Sequence, residues 1–229
     1  MKIWHISDTH TKHKYLNPPK DCDIVIFSGD CSNPREPSIN EIQVRDFITW
    51  FANLSIKYKI FVAGNHDTSI QAGYLTKDNF ESVGITYLEN SSIEIEGLKI
   101  WGSPYTPSFG IGWAYNKKRE KLHDLWATIP DDTDIIITHG PPKGIMDLAY
   151  HKIDGKWLLE YCGCGALLKR VFQIKPKLVC FGHIHDNEDN LNSGIRQLGT
   201  LLTIFSNGSV VTDGQFDKGP SNNGNLITI

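Results

Sequence analysis

The chain has 229 residues, of which 40% are hydrophobic and 21% are charged, and its formal net charge is -3 at pH 7. These values are ordinary for a folded protein, and the length fits one domain over residues 1–229. Because no Lys/Arg run stands out, the charge argues against strong, sequence-independent nucleic-acid binding.

The start of the chain and its cysteines indicate the compartment. Met1 and Lys2 are followed at once by a short strand-like run, whereas a signal peptide needs a longer apolar stretch. No apolar run approaches the ~20 residues of a membrane span. Five cysteines, an odd number, do not make a disulfide framework. We therefore expect a reduced, cytoplasmic protein without membrane contacts.

Strands and helices alternate in the first half of the chain. Runs rich in β-branched residues predict buried strands at 3–6, 24–27 and 60–63. A helix is predicted over 38–57, because Ser38 and Glu41 are spaced as a capping box and apolar residues recur at helical spacing. Alternating apolar and polar residues around a Glu-Gly pair predict a β-hairpin over 93–101.

The second half continues in the same way. Helices are predicted over 117–126 and 165–174, each with a proline beyond its end. Apolar runs predict strands at 135–137, 178–181, 201–205 and 226–229. The segments 102–114 and 140–155 are predicted to be long loops, which are often functional in compact domains. Together these elements predict an α/β fold with two facing mixed β-sheets flanked by helices.

Five of the predicted strands end just before residues that bind metals. The candidate ligands are Asp8, His10, Asp30, Asn65, His139, His183 and His185. Ligands in layered α/β folds gather at the carboxyl ends of strands, so we expect these side chains to meet at one rim. Asp, Asn and imidazole donors suit Mn, Fe, Zn or Ni. Since seven groups are too many for one ion, we predict two divalent ions that share a bridging carboxylate, as in metal-dependent phosphoester hydrolysis.

The order of these segments, D-x-H, G-D, G-N-H-D, H-G and G-H-x-H, resembles the calcineurin-like metallophosphoesterase superfamily. A narrower resemblance to the MPPED group of that superfamily covers about residues 1–229. The segments that carry it lie at 95–104, 139–142, 175–178, 181–185 and 207–210.

The resemblance implies one metallophosphoesterase domain and a role for each segment. One metal would be held by Asp8, His10 and His185, the other by Asn65, His139 and His183, with Asp30 bridging them. A hydroxide between the metals would attack phosphorus, its pKa lowered by both charges, and Mn is the first choice of metal in vitro. His66 would protonate the leaving oxygen, unless it serves only as a hydrogen-bonding residue. Asp67 would orient that imidazole or favour its charged form.

One segment departs from the family pattern. Relatives often place Thr two positions after the bridging Asp and Gly beyond it, whereas this chain has Cys-Ser-Asn-Pro-Arg at 31–35. The departure affects the substrate entrance rather than the metal site. Cys31 next to the bridging carboxylate is either an oxidation-sensitive thiol or a small buried residue.

The substrate is less sharply indicated than the chemistry. The resemblance implies a phosphodiesterase acting on cyclic nucleotides or similar small phosphodiesters. Alternatives are a phosphomonoesterase or short-oligonucleotide nuclease with the same site, and a non-catalytic interaction scaffold, which need not retain all seven ligands. Aromatic residues of the predicted loops could stack a nucleobase or simply close over the core: Tyr105, Phe109, Trp113 and Tyr150. No pattern indicates an oligomeric state.

Overall fold

The structure, a computed structural model, describes residues 1–199, 202–215 and 217–229. The strands in these residues are β1 (Lys2–Ile6), β2 (Ile24–Phe27), β3 (Tyr58–Phe61), β4 (Thr86–Tyr87), β5 (Ser91–Ile95), β6 (Leu98–Ser103), β7 (Thr106–Pro107), β8 (Asn116–Lys117), β9 (Ile135–Thr138), β10 (Leu148–Ile153), β11 (Lys156–Tyr161), β12 (Leu178–Phe181), β13 (Gly194–Gln197), β14 (Ile204–Asn207) and β15 (Asn225–Thr228). The helices are α1 (Pro37–Ala52), α2 (Thr68–Gln71), α3 (Lys77–Glu81), α4 (Arg119–Trp126) and α5 (Gly165–Ile174), with a 3-10 turn at His13–Tyr15. None of the described helices is long and apolar enough to cross a membrane.

Two large sheets stack on each other. One has the strand order β15-β1-β2-β3-β4, and the other has the order β13-β14-β12-β9-β6-β5. The strands β1 to β4 are parallel, as are β6, β9, β12 and β14, whereas β15, β13 and β5 pair antiparallel with their neighbours. Both sheets are therefore mixed, as predicted.

The layer between the sheets is built from aliphatic side chains. Successive residues of a strand point to opposite faces, so every second residue enters this layer. Ile24 and Ile26 of β2 lie in one buried cluster with Ile135 and Ile137 of β9, and all four are 0% exposed. Burying each such side chain contributes roughly 1.5–3 kcal/mol relative to leaving it exposed. This buried aliphatic layer stabilises the packing of the two sheets on each other.

Helices cover the outer faces of both sheets. Phe27 of β2 packs on Phe47 of α1, with ring centroids 4.3 Å apart. On the other sheet, Val179 and Phe181 of β12 share a buried cluster with Trp126 of α4. Strands that are covered on both faces consist of continuous apolar residues, so these strands could be recognised from the sequence. The predicted fold class is confirmed.

The five strands predicted to precede the ligands are all present. They are β1, β2, β3, β9 and β12. The predicted hairpin is formed by β5 and β6, α5 has the predicted bounds, and α4 begins two residues later than predicted. The predicted strands at 201–205 and 226–229 correspond to β14 and β15, although residue 201 lies outside the described residues. The segment predicted as a loop over 102–114 begins within β6, which ends at Ser103. The rest of it is a loop apart from the two-residue β7.

Helix α1 differs from its prediction at both ends. It begins at Pro37 with Glu36 as N-cap, and not with a capping box of Ser38 and Glu41. Proline suits the first helical turn because its fixed φ is helical and it has no N–H that needs a partner there. The hydroxyl of Ser38 instead donates to Oε1 of Glu36 at 3.2 Å. The helix ends at Ala52, so that 53–57 lie outside it.

The prediction of a long loop over 140–155 is wrong for its second half. β10 and β11 form an antiparallel hairpin there. Asp154 and Gly155 at its turn have φ angles of 49° and 80°. A two-residue turn of type I′ requires such left-handed values at both positions, and Asp-Gly is a preferred sequence for it. This Asp-Gly pair was therefore the overlooked signal for the hairpin.

Candidate metal centre

The carboxyl ends of five parallel strands meet at one rim formed by both sheets. The first sheet contributes the residues that follow β1, β2 and β3: Asp8, His10, Asp30 and Asn65. The second contributes those that follow β9 and β12: His139, His183 and His185. Their side chains lie within contact distance of one another, so all seven candidate ligands are brought together.

The ligand atoms fall into groups that could each hold a metal ion. In each of two groups, one donor atom from every member lies within 4.8 Å of the others. The first consists of Asp8, His10 and His185, and the second consists of Asp30, His139 and His183. Asn65 adjoins the second group, since its Oδ1 is 2.9 Å from Nε2 of His139. The first group has the members that the resemblance assigns to one metal, and the second combines two residues assigned to the other metal with the expected bridging residue.

The carboxylate of Asp30 belongs to the second group and also approaches the first. Its Oδ2 is 3.2 Å from Nε2 of His139 and 4.0 Å from Nε2 of His10. Its Oδ1 accepts a hydrogen bond from the backbone N–H of His66 at 2.7 Å. A carboxylate that approaches both ligand groups could bridge two ions.

Three of the histidines are oriented through their Nδ1 atoms. Each lies 2.8 Å from an oxygen: Asn33 Oδ1 for His10, the Ser28 carbonyl for His139 and Asp213 Oδ1 for His185. Donation from Nδ1–H selects the tautomer whose lone pair is on Nε2, the atom that faces the carboxylates of the centre. Asn33 and Asp213 were not predicted for this role, because no motif connects either residue with its histidine.

Four of the candidate ligands have strained backbones. The φ angles of Asp8, His10, Asp30 and His183 are 52°, 41°, 63° and 68°. Left-handed values at residues with a Cβ cost roughly 1–3 kcal/mol each and persist only where the surrounding structure imposes them. Such residues concentrate at functional sites, and here the sharp turns aim side chains from the ends of short loops into one centre.

The glycines of the motifs are explained by the closeness of these loops. A Cβ on Gly182 would overlap the carboxylate of Asp8, and one on Gly64 would overlap that of Asp30. Residues 64 and 182 therefore must be glycine for the backbone to pass directly against a ligand side chain.

Burial and mutual contacts set the charges of the cluster. Burial disfavours charged imidazoles, but the carboxylates of Asp30 and Asp8 outweigh it and raise the pKa of His139 to about 9 and of His185 to about 10. Burial together with the charge of His139 lowers the pKa of His183 to about 3. Burial would raise the pKa of Asp8, yet His185 holds it at about 2. The buried carboxylates thus demand positive charge, which divalent ions would supply in place of imidazole protons.

His66 lies at the edge of the centre. Its Nε2 is 4.0 Å from Oδ2 of Asp30, and its side chain is 22% exposed, compared with 2% for Asp30. Its Nδ1 is 3.3 Å from the carbonyl oxygen of Asn33, which leaves Nε2 facing the centre. His66 also forms a third possible ligand group with His10 and Asp30.

The carboxylate of Asp67 is directed into the backbone and not toward the His66 imidazole. It accepts hydrogen bonds from the N–H groups of Asp30 and Gly64, at 3.0 and 2.8 Å, and from the Ser32 hydroxyl at 2.9 Å. The expected orientation of His66 by Asp67 is therefore replaced by a different contact. Asp67 connects the loops after β2 and β3, because those loops present N–H groups that strand pairing does not use.

Aromatic side chains line one side of the centre. The ring centroid of Trp113 is 4.4 Å from that of His66, and the ring centroid of Phe109 is 4.9 Å from that of His183. The guanidinium of Arg35 lies 3.9 Å above the Trp113 ring. The segment that departs from the family pattern thus contributes a cation to this side of the entrance.

The other two aromatic candidates lie elsewhere. Tyr105 packs edge-to-face on Tyr115, 5.6 Å away, and borders the core. Tyr150 is on the β10–β11 hairpin, where its hydroxyl donates to Asp189. Of the four aromatic residues, Phe109 and Trp113 contact residues of the centre.

Cys31 is a packing residue. It is 0% exposed, and its thiol donates to Oδ1 of Asp67 at 3.2 Å. Burial and the neighbouring Asp67 raise the pKa of the thiol well above its usual value, so the reactive thiolate is suppressed. The interpretation as a small buried residue is supported.

Comparison with known proteins adds a family assignment. The family model described as Calcineurin-like phosphoesterase matches residues 1–187. Metallophosphoesterase domain-containing protein 1 of Homo sapiens is 32% identical over 231 residues, which cover 90% of this chain and 65% of the human protein. A UPF0046 protein of Caenorhabditis elegans is 34% identical over 206 residues, which cover 82% of this chain and 70% of that protein.

The chain is thus shorter than these relatives, and it spans 65% of the human protein. Among solved structures, Phosphopantetheinyl Hydrolase from Mycobacterium tuberculosis is 16% identical and superposes with a TM-score of 0.55, over 99% of this chain and 95% of its own. At this identity the likeness concerns the fold alone.

Proposed function

Because this chain belongs to the calcineurin-like phosphoesterase family, and within it to the MPPED group, we propose that it is a phosphodiesterase with two divalent transition-metal ions. One observation carries the proposal: seven side chains with oxygen or nitrogen donors, from five loops, converge at one place, and the buried carboxylate of Asp30 is among them. A purely structural role gives no reason to bury so many ionisable groups together.

The donors divide between the two ions. One ion would be held by Asp8, His10 and His185 and the other by Asn65, His139 and His183, with Asp30 bridging. Oxygen and imidazole ligands without thiolate suit Mn, Fe, Zn or Ni, and Mn is the first choice for reconstitution. Bound ions would polarise the phosphoryl group and lower the pKa of water for its attack on phosphorus.

The chain's own proton donor in this proposal is Nε2 of His66. The Nδ1 atom of His66 lies 3.3 Å from the carbonyl oxygen of Asn33, and its ring packs at a tilt against Trp113, so that Nε2 is held toward the centre. Partial exposure allows this nitrogen to reach a leaving oxygen, as a general acid must. Asp67 would act indirectly, because its hydrogen bonds hold the loop that carries His66 against the loop that carries Asp30.

The proposed substrates are cyclic nucleotides or similar small phosphodiesters. Support comes from Phe109 and Trp113, whose rings stand beside the centre where a nucleobase could stack. Arg35 adds a positive charge at the same place, which favours an anionic substrate.

We further propose that residues 1–229 form one metallophosphoesterase domain. The last described strand, β15, pairs antiparallel with β1 and completes the first sheet. The N-terminal amine of Met1 donates to the carbonyl of Ile229 at the far end of the same pair. The two ends of the chain therefore belong to one sheet.

A Mn-supplemented activity screen tests the proposal. It compares cyclic nucleotides, nucleoside monophosphates and short oligonucleotides, each with and without chelator. We expect the cyclic nucleotides to be cleaved fastest and chelator to abolish cleavage. Faster cleavage of the monophosphates would make the protein a phosphomonoesterase, and faster cleavage of the oligonucleotides would make it a nuclease. Metal-independent cleavage, or none, would overturn the metal-based proposal.

A further inference from the structure

The outer edge of the β10–β11 hairpin is exposed. All six residues of β11 are exposed, and within the described residues β11 pairs only with β10. A two-stranded hairpin is marginally stable by itself in water. A free strand edge also presents a row of N–H and C=O groups that another strand can pair with.

Large apolar side chains lie along this edge. Trp157, Leu158, Leu159 and Tyr161 are 65%, 45%, 39% and 55% exposed. Because neighbouring residues of a strand point to opposite faces, Leu158 lies on one face and the other three on the opposite face. Natural edge strands are usually blunted by inward charges, proline or a bulge, and the centre of β11 has none of these.

The other edge of the hairpin is turned toward its own chain. The N–H of Leu148 in β10 donates to Oδ1 of Asn192 at 3.1 Å, and the side-chain amide of Asn192 donates back to the Leu148 carbonyl at 2.8 Å. The hydroxyl of Tyr150, also in β10, donates to Asp189. β10 is therefore the inner strand and β11 the outer one.

The charges at the two ends of β11 are complementary to each other. We propose that β11 pairs antiparallel with β11 of a second copy of this chain, about a twofold axis at Leu158. In this register Lys156 stands opposite Glu160 of the second copy, twice in the dimer, and Trp157 stands opposite Leu159. Directly opposed residues share a face, so each charged pair and each apolar pair is in contact.

In an antiparallel pair, the numbers of every two opposed residues have the same sum. Only one register therefore places Lys156 opposite Glu160. The resulting sheet has the strand order β10-β11-β11-β10, with four strands in place of two. Three or more strands with an apolar face are what a sheet needs for independent stability.

The oligomeric state of the complete chain tests this proposal by sedimentation equilibrium over a concentration series. We expect a dimer that Lys156→Glu and Glu160→Lys each weaken about tenfold or more, since two attractive pairs become repulsive. The double variant Lys156→Glu/Glu160→Lys exchanges the charges and should restore the dimer. Leu158→Lys, which places two ammonium groups at the axis, should give a monomer.

A matched control is Ile111→Lys, which introduces the same charge at an apolar residue that is 95% exposed on another loop. It should leave the dimer unchanged. A wild-type chain that is monomeric at every concentration would overturn the proposal. So would single charge variants that dimerise like the wild type, or a double variant that stays as weak as the singles while retaining the wild-type circular dichroism.

Discussion

Oδ2 of Asp30 lies 3.2 Å from Nε2 of His139, although the two residues follow strands of different sheets. The same imidazole reaches back through Nδ1 to the carbonyl of Ser28 at 2.8 Å. One histidine therefore connects the end of β9 with the end of β2. The candidate metal centre forms only when the two sheets pack, since neither sheet alone carries both ligand groups.

Protein purified without chelator should contain about two equivalents of transition metal by elemental analysis, because the candidate ligands are proposed to hold two ions.

Replacement of Asp30, the carboxylate proposed to bridge the two ions, should strongly reduce hydrolysis. Asp30→Asn removes the negative charge of the carboxylate that approaches both ligand groups, and we expect turnover to fall by at least about 100-fold. Asp124→Asn, at an aspartate that is 93% exposed, is the control and should retain activity. Near-normal turnover of Asp30→Asn would remove this residue from the site.

Loss of the proposed general acid should depend on the leaving group. His66→Ala should slow phosphodiesters of poor leaving groups by about 10²–10⁴-fold, but p-nitrophenyl esters far less, because that anion leaves without protonation. The metal content of the variant should match the wild type. Equal losses on both substrates, or a lost metal ion, would instead place His66 in the ligand group with His10 and Asp30.

The close approach of backbone and ligand can be tested at Gly182. Its Ala variant brings a Cβ into the carboxylate of Asp8, so we expect metal affinity to fall by roughly 10–100-fold, as measured by calorimetric titration. Gly165→Ala in α5 is the control, because a Cβ there meets open space and alanine favours a helix. Gly182→Ala with wild-type metal affinity would contradict the packing described for this loop.

Stability should fall in acid because of a buried histidine outside the centre. His13 lies between Phe47 and Trp50, and burial lowers its pKa from 6.5 to about 4 despite the nearby Asp46. As the pH falls from about 6.5 to 4, the unfolded chain takes up a proton that the folded chain does not, so the free energy of unfolding decreases.

Thermal melts in chelator should show this effect as a difference between variants. The Tm of His13→Phe should fall less over that pH range than the wild-type Tm, because the variant has no proton to take up at this position. His123→Phe, at a histidine that is 65% exposed, should follow the wild type. If the Tm of His13→Phe and that of the wild type fell equally with pH, the pKa of His13 would be the same in the folded and the unfolded chain, and the prediction would be wrong.

The aromatic side of the entrance should contribute to nucleotide binding. Trp113→Ala removes a ring on which a base could stack, and stacking contributes about 1–3 kcal/mol per base, so KM for a cyclic nucleotide should rise roughly 5–150-fold. KM for bis-p-nitrophenyl phosphate should change less, since that substrate has no base. Ile111→Ala in the same loop is the control. Equal changes for both substrates would argue against base stacking.

Much of the fold and the candidate ligands could be predicted because their signals are local. The sheets are buried on both faces, so β2 and β12 consist of continuous apolar residues, and the parallel direction of the strands brings the residues after them to one rim. The helix prediction failed at Pro37, where a proline preceded a plausible capping box. The hairpin was missed because its Asp-Gly turn lay in a segment interpreted as a loop.

The sequence by itself determined which residues converge. Each ligand comes just after a strand that can be recognised from its run of apolar residues, and the ends of these parallel strands meet at one rim. Only the tertiary structure decided which other groups contact the ligands and the residues beside them. Asp213 reaches His185, and Arg35 reaches Trp113, from parts of the chain without any motif in common. The same holds for Asp67, whose adjacency to His66 suggested a contact that the backbone geometry directs elsewhere. An apolar run specifies a buried strand, whereas a contact between loops depends on which distant segments strand pairing and sheet packing bring together.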